Sequence, residues 1–142
     1  SLSRAPMSRR RLMRKLRDRG YDDAVASSVA DDLERIGLID DRGLAESAAR
    51  SMVSRKPAGS RFIEMKLREK GFDGALAREV AEAAAGERDP IEDALKLAQK
   101  KAASMSSSVD AEARRRRIYA MLVRRGYGPD VCRATVERLG RD

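Results

Sequence analysis

Leu16-Arg17-Asp18-Arg19-Gly20-Tyr21-Asp22 recurs as Leu67-Arg68-Glu69-Lys70-Gly71-Phe72-Asp73 and again as Leu122-Val123-Arg124-Arg125-Gly126-Tyr127-Gly128. The glycines stand 51 and 55 positions apart, the spacing of a structural repeat. The residue types name the structure. A glycine after a run of helix formers suits the left-handed C′ position, where a Cβ would clash. In the Schellman ending, the next residue packs on the one five before it. Here that pairs Tyr21 with Leu16, Phe72 with Leu67 and Tyr127 with Leu122. Asp22 and Asp73 then cap the following helix. In the third copy Gly128 takes that place, with Pro129 at the first helical position.

Outward from this corner the repeat continues. Val25, Val29, Leu33 and Ile36 form an i, i+4, i+8, i+11 stripe, echoed by Leu76, Val80 and Ala84 and by Val131, Val136 and Leu139. Gly37 ends the first of these helices, with Leu38 placed to pack on Leu33. Asp40 or Asp41 caps a further helix running to about Lys56. Its counterpart begins at Asp89-Pro90-Ile91-Glu92 and runs to about Ser104. Pro57-Ala58-Gly59-Ser60 breaks the chain, and Ser104 to Ser108 reads as a linker and a candidate hinge.

The expected fold is all-α: tandem three-helix repeats, eight helices in all, with the first repeat lacking its connecting helix. The repeats divide the chain at 1–40, 41–88 and 89–142. Units this small must stack to bury their apolar faces, which predicts an elongated, curved rod.

Composition narrows the function. The 142 residues include no His and one Cys, so a His-based catalytic centre is excluded and an ordinary zinc site is disfavoured. Cys132 aligns with Ala26 and Ala77 and reads as a small core residue. No apolar stretch approaches the ~20 residues of a membrane span. Ser1-Leu2 reads as a cloning remnant, with no signal-peptide core after it. No enzyme, cofactor or metal site is expected.

Net charge is +8, and it is unevenly spread. Residues 1–20 carry eight basic and one acidic side chain, residues 21–50 three and eight, and residues 51–70 six and two. Residues 71–95 carry two and seven, and residues 96–125 nine and two. Basic charge thus sits on the helix before each corner and acidic charge on the helix after the first two corners. Attraction between neighbouring helices is one reading.

Register supports another. Arg10, Arg61 and Arg116 each stand ten residues before a glycine, about 200° around the helix from the apolar position two residues on. They therefore face away from the core. Arg17 and Arg68 share that face, and Arg14 joins it. The third repeat has Val123 there and supplies Arg114, Arg115, Arg116 and Arg117 instead. Arg61 falls at the start of its helix, where the macrodipole disfavours a cation, so stability does not ask for it. Arg19, Lys70 and Arg125 sit at helix C-termini, where a cation is structurally favoured. An outward basic stripe should meet a long anionic partner such as DNA, RNA or acidic protein. Tyr21, Phe72 and Tyr127 are committed to helix ends and make no base-stacking platform.

At Ile36-Gly-Leu-Ile-Asp-Asp-Arg-Gly-Leu-Ala-Glu46, followed by Ser60-Arg-Phe-Ile-Glu-Met-Lys-Leu-Arg-Glu-Lys-Gly-Phe-Asp73, the chain resembles the RecX family of recombination regulators. The resemblance runs from about Ser8 to Leu139 and is loosest in the third repeat. It implies a non-enzymatic, cytoplasmic protein that binds the RecA recombinase or its DNA filament; a monomer without a cofactor is expected. Such binding would lower the recombinase's ATPase, strand-exchange and co-protease activities, through a basic surface. The alternative is a stand-alone DNA-binding helical module. Against it, the helix that would enter the groove carries Asp31, Asp32 and Glu34 in one repeat and Glu79 and Glu82 in the next.

Overall fold

The computed structural model describes residues 7–141. Among them are eight α-helices and no strand: α1 (Arg9–Asp18), α2 (Asp23–Arg35), α3 (Asp41–Arg55), α4 (Ser60–Glu69), α5 (Gly74–Gly86), α6 (Pro90–Ser104), α7 (Ala111–Arg124) and α8 (Pro129–Arg141). The architecture is all-α, in tandem helical repeats. Two compact units are present, residues 1–48 and 49–142, and α3 carries the chain from one to the other.

Caps and corners fall where the residue types place them. Asp22 accepts from the Val25 N–H at 2.8 Å, Asp40 from Gly43 at 3.0 Å, and Asp89 from Ile91 at 3.0 Å and Glu92 at 3.4 Å. Asp73 accepts from Ala75 and Leu76, and Asp110 from Ala113. Gly20, Gly71 and Gly126 have φ of 92°, 97° and 89°, and Gly37 has 79°. All four helix ends make both Schellman bonds. Tyr21, Leu38, Phe72 and Tyr127 donate to Leu16, Leu33, Leu67 and Leu122 at 2.9–3.2 Å, and each glycine donates one turn back.

The same backbone corner is buried to different depths. Tyr127 is 3% exposed and Phe72 half-buried, whereas Tyr21 is 52% exposed. Around Tyr127 a third helix is present: α6 packs on α7 and α8 and contributes Ala94, Leu97 and Ala98 to a core with Ile118, Leu122 and Cys132. No helix precedes α1 among the described residues to do the same for Tyr21.

That difference corrects the apolar stripe expected on α2. Its buried residues are Ala26 and Ala30, one position along from the expected Val25 and Val29. Val25 and Ile36 are exposed, and Leu38 is exposed although its N–H reaches Leu33. Small side chains take the inward positions of α2, and the bulkier neighbours stay exposed. In the first unit, polar contacts add to a small apolar core of Ala26, Ala30, Ile39 and Ala45. Arg9 pairs with Asp31 and Glu34, both at 2.8 Å, and donates to the Ser27 hydroxyl at 3.1 Å, while its backbone N–H donates to Asp41.

In the second unit α4 packs on α5 through Ile63 and Leu67 against Ala77, Val80, Ala81 and Ala84. Here two backbones touch. The Gly59 N–H donates to the Arg125 carbonyl at 2.8 Å, and a Cβ on Gly59 would stand 2.8 Å from the Tyr127 nitrogen. The break at 57–59 thus serves to bring the start of α4 against the α7–α8 corner. The serine-rich stretch at 104–108 is a hydrogen-bonded turn: the Ser106 and Ser108 hydroxyls meet at 2.8 Å, and Ser106 Oγ accepts from the Ser108 N–H.

Candidate partner-binding surface

Eight of the nine candidate arginines are exposed: Arg10, Arg14 and Arg17 on α1, Arg61 and Arg68 on α4, and Arg115, Arg116 and Arg117 on α7. Five of these, Arg10, Arg14, Arg61, Arg115 and Arg117, have no hydrogen-bonding or ionic partner among the described residues. The other three make surface pairs: Arg17 with Asp23 at 2.8 Å, Arg68 with Glu64 at 3.3 Å and Arg116 with Glu112 at 3.7 Å. Each such exposed pair is worth ~0.2–1 kcal/mol, so an anionic partner can replace it at little cost. Arg68 also lies against Gly74, whose missing Cβ leaves its guanidinium room. Arg61 is the second residue of α4 rather than the first, because Ser60 is already helical; it stays within the first turn, where the dipole still opposes it.

Arg114 differs. It is half-buried and donates to the Ala102 carbonyl at 2.9 Å and the Ser106 carbonyl at 3.3 Å. It closes the end of α6 and the turn after it. Periodicity does not reveal this, because the acceptors lie on α6 and in the turn after it.

Two further arginines act structurally. Arg125 donates to Pro57 O at 2.8 and 3.2 Å and to Lys56 O at 3.3 Å, and its guanidinium lies 4.1 Å from the Phe62 ring centre. Burial pulls its pKa below the usual arginine value. Arg88 grips the buried Asp93 through two bonds of 2.6 and 2.8 Å and holds that carboxyl below its ordinary range. Burial, with the Asp93 charge adding to it, pushes the neighbouring Tyr127 phenol up to about 12.

A cleft of about 400 Å³ in the second unit is walled largely by alanine, glycine and valine, with Ser60, Arg88, Asp93 and Tyr127 among its polar lining residues. The carboxylate is occupied by arginine and the phenol stays protonated at neutral pH, so the cleft offers no free base. Cys132 is fully buried, its Sγ 3.6 Å from the Tyr127 carbonyl, and burial pushes its thiol pKa up. It packs as a core residue. Among the described residues no acidic or sulfur cluster could hold a metal ion, and no helix is long and apolar enough to cross a membrane.

Register did not single out Lys56, Lys100 and Lys101. They rim a groove floored by Leu97 and Met121, and none has an ionic partner among the described residues. The signal was present: neither Lys100 nor Lys101 has an acidic residue three or four positions away.

Residues 40–80 match the family model described as RecX, second three-helix domain, and residues 87–136 match RecX, third three-helix domain. Regulatory protein RecX of Prosthecochloris aestuarii is 31% identical over 132 residues, which cover 93% of this chain and 83% of that protein. The chain belongs to the RecX family. Regulatory protein RecX of Mycobacterium sp. (strain JLS) is 36% identical over 139 residues, covering 94% of this chain and 75% of that one. The crystal structure of RecX from Lactobacillus salivarius superposes with a TM-score of 0.84 at 24% identity, over 99% of this chain and 90% of the other. That likeness carries the fold. RecX is a family of regulatory proteins rather than an enzyme family.

Proposed function

We propose that this RecX chain is a non-enzymatic regulator that binds the RecA recombinase on its DNA filament and lowers its ATPase, strand-exchange and co-protease activities. The contact surface is the set of outward arginines: Arg10, Arg14, Arg17, Arg61, Arg68, Arg115, Arg116 and Arg117. One observation carries this reading. Five of these cations stand exposed with no ionic partner among the described residues, and the other three are held by weak surface pairs. They contrast with Arg9, Arg88, Arg114 and Arg125, whose guanidiniums are tied to the fold. Several weak contacts to a repetitive anionic filament add up, because after the first the others form intramolecularly. Binding shifts filament assembly only as far as it favours one filament state over another.

The test is a triple variant, Arg10→Ala, Arg61→Ala and Arg116→Ala, compared with the parent in inhibition of RecA strand exchange. The expected result is a loss of inhibition of at least tenfold in potency, with an unchanged far-UV circular dichroism spectrum. Full inhibition by the variant would make these arginines a solvated face. Tight, steeply salt-dependent binding to naked duplex DNA by the parent would favour a stand-alone DNA-binding module instead.

A further inference from the structure

The lysine-rimmed groove in the second unit has features that the outward arginines lack. It measures about 220 Å³ and is lined by Lys56, Leu97, Lys100, Lys101, Ser104 and Met121. Its floor is apolar, with Leu97 only 6% exposed and packed in the core of the third repeat and Met121 half-buried beside it. No carboxylate lines it, and its three ammonium groups are without ionic partners among the described residues.

Both rims are held in place from α7 and the residue that caps it. Arg125 binds the Lys56 and Pro57 carbonyls and so fixes the backbone that carries Lys56. Arg114 binds Ala102 and Ser106 and fixes the end of α6, which carries Lys100 and Lys101. A concave site whose walls are tied before any partner arrives avoids part of the ordering cost of binding.

Size and lining select the occupant. The volume lies below the ~300–1,000 Å³ of small-molecule and cofactor sites, so it suits one inserted side chain rather than a cofactor. Nucleic acid fits poorly: a phosphate has no use for an apolar floor, and no aromatic ring is present on which a base could stack. A thioether and a leucine present a soft, adaptable apolar surface. Three cations around it call for negative charge on both sides of the inserted group.

We propose that this groove docks a short acidic segment of a partner protein, with one large aliphatic side chain seated on Leu97 and Met121 between the ammonium groups of Lys56, Lys100 and Lys101. This contact is separate from the outward arginines and does not depend on which partner they take.

The probes are a fluorescent synthetic peptide, Asp-Glu-Asp-Leu-Glu-Asp-Glu, the same peptide with serine for leucine, and a labelled oligothymidylate of equal charge. Each is titrated with the full chain while anisotropy is read. The leucine peptide should bind at least about tenfold tighter than the serine peptide, as burial of an aliphatic side chain predicts. Its amide-shift footprint should centre on residues 97–104 and 121. Lys100→Glu with Lys101→Glu, two surface changes that leave the core alone, should weaken that peptide at least tenfold, while Arg10→Ala with Arg116→Ala should not alter the preference for leucine over serine. Equal binding of the two peptides would overturn the proposal, as would preference for the oligothymidylate, indifference to the lysine reversal, or no peptide binding up to millimolar concentration.

Discussion

Replacing Arg125 and Arg116 singly by alanine removes one positive charge each, yet the structure separates the two sharply. Arg125 makes three charge-assisted bonds to the Lys56 and Pro57 carbonyls, the shortest 2.8 Å, and lies over the Phe62 ring at 4.1 Å. Hydrogen bonds to a charged group contribute about 1.5–3 kcal/mol and a partly buried cation–π contact about 1 kcal/mol. The desolvation that lowers the arginine's pKa offsets part of that. A net loss of ~2 kcal/mol follows, equivalent to a fall in midpoint of roughly 8–16 °C for a unit of this size. Arg116 has one exposed pair at 3.7 Å, so Arg116→Ala should stay within ~0.5 kcal/mol of the parent. Thermal unfolding followed by circular dichroism compares them directly. Equal shifts, or a larger one for Arg116→Ala, would refute the division into structural and outward arginines.

Gly59→Ala should destabilise the second unit by more than ~2 kcal/mol in urea unfolding, because the new Cβ meets backbone at Gly126 and Tyr127 that cannot yield. Gly140→Ala, with open space around its Cβ, is the matched control and should be neutral or slightly stabilising. Because Arg88 holds the Asp93 carboxyl below its ordinary value, the pair contributes stability that is present above the unfolded carboxyl pKa, near 4, and is lost as pH falls through the folded value. Asp93→Asn should be less stable at pH 7 and should lose part of this acid dependence, read as midpoint against pH. The Tyr127 phenol, raised to about 12, should give a late phase in phenolate absorbance that Tyr127→Phe removes; the matching stability is present below pH ~10 and lost as pH rises through 12.

Local signals made most of the fold legible. Gly-aromatic corners and Asp caps are decided within a few residues, so the helix starts at Asp41 and Pro90 and the four Schellman ends can be read directly from residue type. Burial was less legible. On α2, Val25 and Ala26 are neighbours, and the choice of which faces inward is made by packing with other helices rather than by hydrophobicity along the chain. The candidate surface divides in the same way. Register turned Arg10, Arg61 and Arg116 outward, and all three are exposed, because helix geometry alone sets that direction. It gave no warning that Arg114 would reach α6, since Ala102 lies twelve positions away. Nor did it expose the lysine groove, whose walls come from α6, α7 and the residue after α3.

The proposed role has this RecX chain acting on the recombinase filament through its outward arginines. The most direct test titrates the parent protein, at ratios well below one per RecA, into DNA-dependent ATP hydrolysis by RecA, with naked-DNA binding recorded in the same buffer. Hydrolysis should fall before the DNA is appreciably occupied, and the Arg10, Arg61 and Arg116 triple variant should need at least tenfold more protein for the same effect. Inhibition that appears only as the DNA becomes saturated, or no inhibition at all, would contradict it.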